Sequence, residues 1–376
     1  MRTVDRDSAA QAVVDMYIKH RALVVHYATG FGKTKAALNA VDTDGPFNPV
    51  KYHAQGLIVC HTETSRDDTW PNEIIKWWGK DKLWPVQLTC YQSLKQYAGK
   101  RYQWLILDEA HYITIAYDAA LNNIQYDGII LLTALPPDDP IKIYMINRLS
   151  KGHSLSISLD TAIANKVLND YKIRVWGVHL SPVELFEYRV LTKRIQDNIM
   201  RGNTFMVKKY GGERMRFLYN SHTKLNAGKY LVNEIRKAKR RFGIFAGSKA
   251  VIEQLTPYVM HSGVDDTDYQ RFRRGEIDEI GSIKQIQEGA NIHGLQTIFI
   301  QQLNSKQLKL AQTIGRGMRL GIDEVLYVHI LVAKGTKDEE WANMALKGFD
   351  QKKITRHMLD NAVIEAFINQ INNNVQ

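Results

Sequence analysis

Five short runs rich in Val, Ile and Leu divide the first third of the chain: RALVVHY, GLIVCHT, QLTCY, QWLILDEA and GIILLTA. Helical patterns such as KTKAALNAV and PNEIIKWW stand between them. Strands that read as continuous apolar runs are buried on both faces, and their alternation with helices is the pattern of a covered parallel sheet. After the breaker cluster PPDDP the same grammar returns in FGIFA, DEIGSI, TIFIQQL and VLYVHILV. An α/β chain of two domains is therefore expected, which suits 376 residues at roughly 100–200 per domain. The junction is expected near Lys151 to Ser158. This gives domains at 1–152 and 153–340, then a helical extension at 341–376 that ends in the polar tail INNNVQ.

Composition excludes some classes. At 44% apolar and 24% charged, the chain is ordinary for a globular protein. It has no uncharged apolar run of roughly 18 residues, so no membrane span is expected. The opening MRTVDRDSAAQ lacks an apolar signal core, so a cytoplasmic protein is expected. Cys60 and Cys90 sit in apolar runs and read as buried reduced thiols, with no neighbouring Cys or His at metal-binding spacing.

The net charge of +11 is concentrated. Leu191 to Phe242 carries 14 Lys and Arg against 3 Asp and Glu, so the remainder of the chain sums to zero. A basic segment of this kind is either a solvated helix face or the footprint of a polyanion, most often nucleic acid.

The stretch HYATGFGKT, His26 to Thr34, follows a strand and opens a helix. In that context glycines let backbone N–H groups curl around phosphates, and the helix N-terminus adds partial positive charge. Thr29, Gly30 and Gly32 would shape the cradle, Lys33 would reach the β- and γ-phosphates, and Thr34 would ligate Mg²⁺. Tyr27 departs from the strict eight-residue form, and Phe31 places a bulky ring between two glycines. Asp108 and Glu109 lie 75 residues after Lys33, at the end of the apolar run WLILDEAH. Acids at a strand end meet the ligand edge of a parallel sheet, where Asp108 can hold Mg²⁺ through water and Glu109 can polarise the attacking water.

With these motifs the chain resembles the superfamily 2 helicases and translocases of the DEAH/DExH type, over Gln11 to roughly Trp341. The resemblance implies two tandem RecA-like P-loop domains, ATP and Mg²⁺ as cofactors, and a minimal motor that acts as a monomer. Gln11 resembles the glutamine that reads adenine. VCHTETS and TCYQSL resemble motifs that touch the nucleic-acid backbone, through Thr62 and through Thr89, Tyr91 and Gln92. His111, Thr133 and Ala134 match positions that couple hydrolysis to motion. In the second half Ser248 and Ser282 resemble backbone contacts, and Glu288 and Gly289 a phosphate-and-ribose motif. QTIGRGMRL supplies Gln312, Arg316 and Arg319, and the two arginines at i and i+3 suit arginine fingers reaching the γ-phosphate from the second domain. Asn291 and His293 depart from the family's usual Asp and Pro.

The segment TWPNEIIKWWGKDKLWP holds Trp70, Trp77, Trp78 and Trp84. Trp70, Ile74, Trp77 and Trp78 fall on one helical face and read as core. The arrangement resembles Swi2/Snf2-like DNA translocases, whereas EGANI and QTIGRGMR resemble recombination, repair and restriction helicases. Both neighbours imply DNA as partner, whether duplex, forked or branched. Arg236, Lys237, Lys239, Arg240 and Arg241 would extend a phosphate-gripping surface that does not read sequence. Compactness and the mixture of motif styles resemble phage-encoded helicases of replication, recombination or repair, acting in the host cytoplasm. An RNA helicase of the DEAH type and a nucleotide-gated clamp with little unwinding remain alternatives.

Overall fold

A computed structural model describes residues 5–46, 48–79, 85–134, 136–137, 139–261, 263–283, 295–303, 310, 314 and 324–373. The chain divides into two units, Met1–Leu168 and Asn169–Gln376.

The first unit contains α1 (Arg6–His20), β1 (Ala22–Tyr27), α2 (Lys33–Val41), β2 (Ala54–Cys60), α3 (Trp70–Trp78), β3 (Val86–Cys90), β4 (Arg101–Leu107), α4 (Ile115–Leu121), β5 (Gln125–Thr133), α5 (Pro140–Leu149), β6 (Ser154–Ile157) and α6 (Leu159–Ala164). Its six strands run in the order β3-β2-β4-β5-β1-β6, and every neighbouring pair is parallel. The apolar runs account for this: every residue of β2 is buried, as are Tyr102 to Leu107 of β4. Helices must then cover both faces. Close packing also fixes one glycine. Gly56 faces Trp104 across the β2–β4 register, and a Cβ there would lie 2.2 Å from the indole. The strand Ser154–Ile157, inside the expected junction, pairs with β1 and so belongs to the first sheet.

The second unit contains β7 (Asp170–Val178), α7 (Pro182–Met200), α8 (Thr204–Tyr219), α9 (His222–Lys237), β8 (Phe242–Phe245), α10 (Lys249–Leu255), β9 (Val259–Met260), α11 (Thr267–Arg274), β10 (Glu279–Ser282), β11 (Thr297–Ile300), β12 (Val325–Ala333), α12 (Lys337–Leu346), β13 (Ile354–Met358) and α13 (Asn361–Asn373). Its strand order is β13-β7-β12-β11-β8-β10-β9, again parallel throughout. The stretch after Asp338 is not purely helical, because β13 forms the sheet edge beside β7. Leu359, Ile364 and Ile368 then pack with α9 residues such as Leu231 and Ile235, so the C-terminal segment is part of this core.

Two expectations from composition meet the structure directly. Cys60 and Cys90 are buried and free of disulfides. Among the described residues no helix is long and apolar enough to cross a membrane.

Candidate nucleotide site and its neighbours

The strand β1 stops at Tyr27 and the chain turns through Ala28 to Gly32 into α2. Gly30 and Gly32 hold φ of 87° and 107°, the left-handed region open to glycine. No side chain caps the N-terminus of α2, which leaves its first N–H groups to an anion. Lys33 Nζ donates to the Tyr27 carbonyl at 2.9 Å, so the ammonium lies back over the loop. Thr29 and Thr34 are half-buried beside it.

Phe31 is 2% exposed and meets the Tyr27 ring edge-on, with centroids 5.4 Å apart. Tyr27 is equally buried, and its hydroxyl donates to the Ala9 carbonyl of α1 at 2.9 Å. The two residues that depart from the strict loop pattern thus form its floor. Tyr27 ties the loop to α1, and Arg6 of the same helix donates to the Gly30 carbonyl at 3.3 Å.

The acids follow β4. Asp108 Oδ2 accepts the Trp70 indole N–H at 2.9 Å and the Ser65 hydroxyl at 3.4 Å, and Oδ1 accepts the Glu109 amide at 3.0 Å. Burial pushes the Asp108 carboxyl up; the Trp70 hydrogen bond and the Lys33 charge oppose that. Glu109 has φ 47°, ψ 53°, a left-handed conformation that costs a residue with a Cβ on the order of 1–3 kcal/mol. That conformation turns the chain so that His111 Nδ1 lies 3.3 Å from Glu109 Oε2 and 3.1 Å from Thr133 Oγ1. Lys142 donates to the His111 carbonyl at 2.6 Å. Half-buried Glu109 and buried His111 and Thr133 therefore form one cluster linking the ends of β4 and β5. Ala134, next in line, is 5% exposed.

These residues fit a nucleotide–Mg²⁺ group. A glycine cradle, an uncapped helix start, a lysine and a carboxylate lie at one edge of one sheet. Gln11, exposed on α1, donates to Asp15 at 2.8 Å.

The expected nucleic-acid residues divide. Gln92 is exposed, Ser248 is half-buried at the start of α10, and half-buried Thr62 accepts the Ser65 amide. Thr89, Tyr91 and Ser282 are 3%, 1% and 0% exposed, so little of their surface is open to a partner in this structure. Tyr91 instead donates to the Asp108 carbonyl at 3.0 Å, which braces the acidic turn. In the basic stretch, Arg236 is bidentate to Glu279 at 2.7 and 2.8 Å, and Arg241 binds the Phe272 carbonyl and lies over its ring. Both are engaged inside the domain. Arg240 stacks 4.4 Å over Tyr327, Lys237 pairs with Glu234, and Lys239 is exposed. Glu288, Gly289, Gln312, Arg316 and Arg319 lie outside the described residues, as does Trp84.

The tryptophan face is also only partly core. Trp70 and Ile74 are buried, whereas Trp77 is 38% exposed between Lys35 and Lys76, each under 5 Å from its ring. Sequence reasoning missed the tie between Trp70 and Asp108. The two are 38 residues apart, and no local pattern links an indole to a strand-end acid.

No protein-family model and no curated protein sequence matches the chain. Solved structures do. The helicase domain of Pyrococcus furiosus Hef is similar over 92% of this chain and 100% of its own, at 13% identity and TM-score 0.56. Saccharomyces cerevisiae Dbp5 bound to RNA and ADP BeF3 is similar over 96% of this chain and 93% of its own, at 14% identity and TM-score 0.61. The ATP-dependent type ISP restriction-modification enzyme LlaBIII bound to DNA matches 95% of this chain at 12% identity and TM-score 0.62, over 31% of that enzyme's length. With two all-parallel sheets flanked by helices and these likenesses, the chain has a tandem RecA-like α/β fold.

Proposed function

We propose that the chain is an ATPase stimulated by nucleic acid, and that it moves along or remodels duplex, forked or branched DNA. The observation that carries this reading is the meeting of the Lys33 loop with Asp108 and Glu109 at one sheet edge, close enough for the Lys33 charge to act on Asp108. Lys33 and the α2 N-terminus would bind phosphate, with Thr29, Gly30 and Gly32 shaping the loop. Thr34 and Asp108 would hold Mg²⁺, which supplies charge neutralisation of the phosphates. Glu109 would orient and deprotonate water, and His111 and Thr133 would carry its state toward β5. Gln11 would contact the base. Glu288, Gly289, Gln312, Arg316 and Arg319 take the ribose, phosphate and transition-state roles by resemblance alone, and Thr62, Gln92, Ser248 and Lys239 are proposed phosphate contacts. The neighbours bound to DNA and to RNA support nucleic acid as the partner. DNA, and a phage role in replication, recombination or repair, are the finer part of the proposal.

The test is ATP turnover measured across single-stranded, duplex, forked and four-way DNA, with RNA alongside. Stimulation by forked or duplex DNA and little by RNA is expected; the reverse ranking would make the chain an RNA motor. Lys33→Ala should abolish turnover, and Arg316→Ala should lower turnover far more than DNA binding. Equal turnover in Arg316→Ala removes the finger assignment.

A further inference from the structure

Between β7 and α9 the chain makes an excursion that the sheet itself does not require. The helices α7 and α8 form a hairpin joined by Arg201 to Asn203, and α7 alone is about 28 Å long at 1.5 Å per residue. Its base is fixed. Tyr188 and Leu218 are buried with Leu180 and Ala333, and Glu184 accepts hydrogen bonds from Ser181, Ser221 and Thr223. Ile195 of α7 is buried within the hairpin, while Val183 and Phe186 near its start are each 68% exposed.

The far end is different. Ile199, Met200 and Phe205 surround the turn and are 61%, 78% and 74% exposed. Three large apolar side chains clustered in solvent at one tip mark a docking surface rather than scattered surface hydrophobics. Lys193, Arg194, Arg201, Lys208 and Lys209 flank them on both helices, all exposed, and Asp197 is the one acid between residues 193 and 209. Among the described residues none of these five cations forms an ion pair, in contrast to Arg236 and Lys237. Arg194 lies seven positions before Arg201, about 10 Å along the helix, or roughly three base-pair rises.

An apolar tip ringed by cations suits a partner that is flat and apolar at its centre and anionic at its rim. The end of a base stack at a duplex junction has that form: apolar side chains insert against base steps while cations hold flanking phosphates. A bilayer shares the chemistry, but an interfacial helix needs a continuous free apolar face, and on α7 exposed Val183 and Phe186 are separated from Ile199 and Met200 by exposed Arg189, Lys193 and Arg194. We propose that the α7–α8 tip is a junction wedge. In it Ile199, Met200 and Phe205 stack on the last base pair of a forked duplex, and the five flanking cations grip the phosphates behind it. This rests on the nucleic-acid motor reading above.

The experiment uses the full chain and a variant carrying Ile199→Ser, Met200→Ser and Phe205→Ser, whose exposed positions leave the core intact; matching thermal melts confirm this. A fork with 2-aminopurine at its first base pair reports unstacking without ATP. The parent chain should raise the signal, and the variant at equal occupancy should raise it at least fivefold less. Turnover on linear duplex should stay within twofold, and strand displacement on the fork should fall at least tenfold. Equal unstacking and equal displacement by the variant overturn the wedge and leave the motor intact. No stimulation of the parent by any nucleic acid, with no fork binding, overturns both. Loss of binding to phosphatidylserine vesicles with unchanged fork unstacking overturns the wedge in favour of a membrane contact.

Discussion

The indole N–H of Trp70 donates to Asp108 Oδ2 at 2.9 Å; Trp70 is buried and Asp108 half-buried. The tryptophan that begins α3 thus holds the acid proposed to bind Mg²⁺. Trp70→Phe keeps most of the packing but removes the donor. A half-buried carboxylate that loses one partner costs about 1–3 kcal/mol, so unfolding should shift by that amount. The KM for Mg-ATP should rise several-fold while nucleic-acid affinity is unchanged. Unchanged urea midpoint and KM in Trp70→Phe would separate the two residues functionally.

Phe31 and Tyr27 form the floor of the glycine loop. Phe31→Ala empties a site that is 2% exposed, and loss of a buried aromatic costs about 3–5 kcal/mol. The loop loses the ring that packs edge-on against Tyr27, so ATP affinity should fall as well. Phe31→Leu should recover most of both. Denaturation and nucleotide titration together check this.

Lys224 Nζ and Asp338 Oδ2 are 2.6 Å apart and both side chains are 0% exposed. Asp338 also accepts the Ala333 amide, so the pair joins α9 to the end of β12. Lys224→Met leaves an uncompensated buried carboxylate and should cost about 3–5 kcal/mol. Adding Asp338→Asn should return part of that loss, as a double-mutant cycle in urea would measure.

His329 is pressed down to about 4 by burial, with Arg174 and Arg240 adding to the effect, and its Nδ1 accepts the Trp176 indole N–H at 3.1 Å. Its unfolded value is near 6.5, so between pH 6.5 and 4 the unfolded chain binds a proton that the folded chain does not. The neutral-ring contribution is complete above pH 6.5 and is lost as pH falls toward 4, by up to about 3 kcal/mol. His329→Gln keeps an acceptor for Trp176 without titrating. Its urea midpoint should fall less between pH 7 and pH 5 than that of the parent, and parallel slopes would exclude His329 as the source.

The geometry of the candidate nucleotide site was legible where it is local. A strand, a glycine loop and a helix are contiguous in HYATGFGKT, and acids at the end of an apolar run must reach the sheet edge when the strands are parallel. The nucleic-acid residues were less legible. Thr89 and Tyr91 stand in a motif-like string, but strand alternation and the turn after β3 direct them inward. Arg236 and Arg241 look like free charge in RKAKRR until Glu279 and the Phe272 carbonyl, each more than 30 residues away, are brought beside them.

By itself the sequence determined two parallel sheets, the glycine loop and the strand-end acids, because burial pattern and glycine geometry are properties of consecutive residues. Tertiary structure alone decided which cations remain exposed. It also decided that Phe31 and Tyr27 form the loop floor, that Trp70 holds Asp108, and that Ile199, Met200 and Phe205 stand together in solvent. Each of these depends on what packs against a residue from a distant part of the chain, and that neighbour is chosen by the fold.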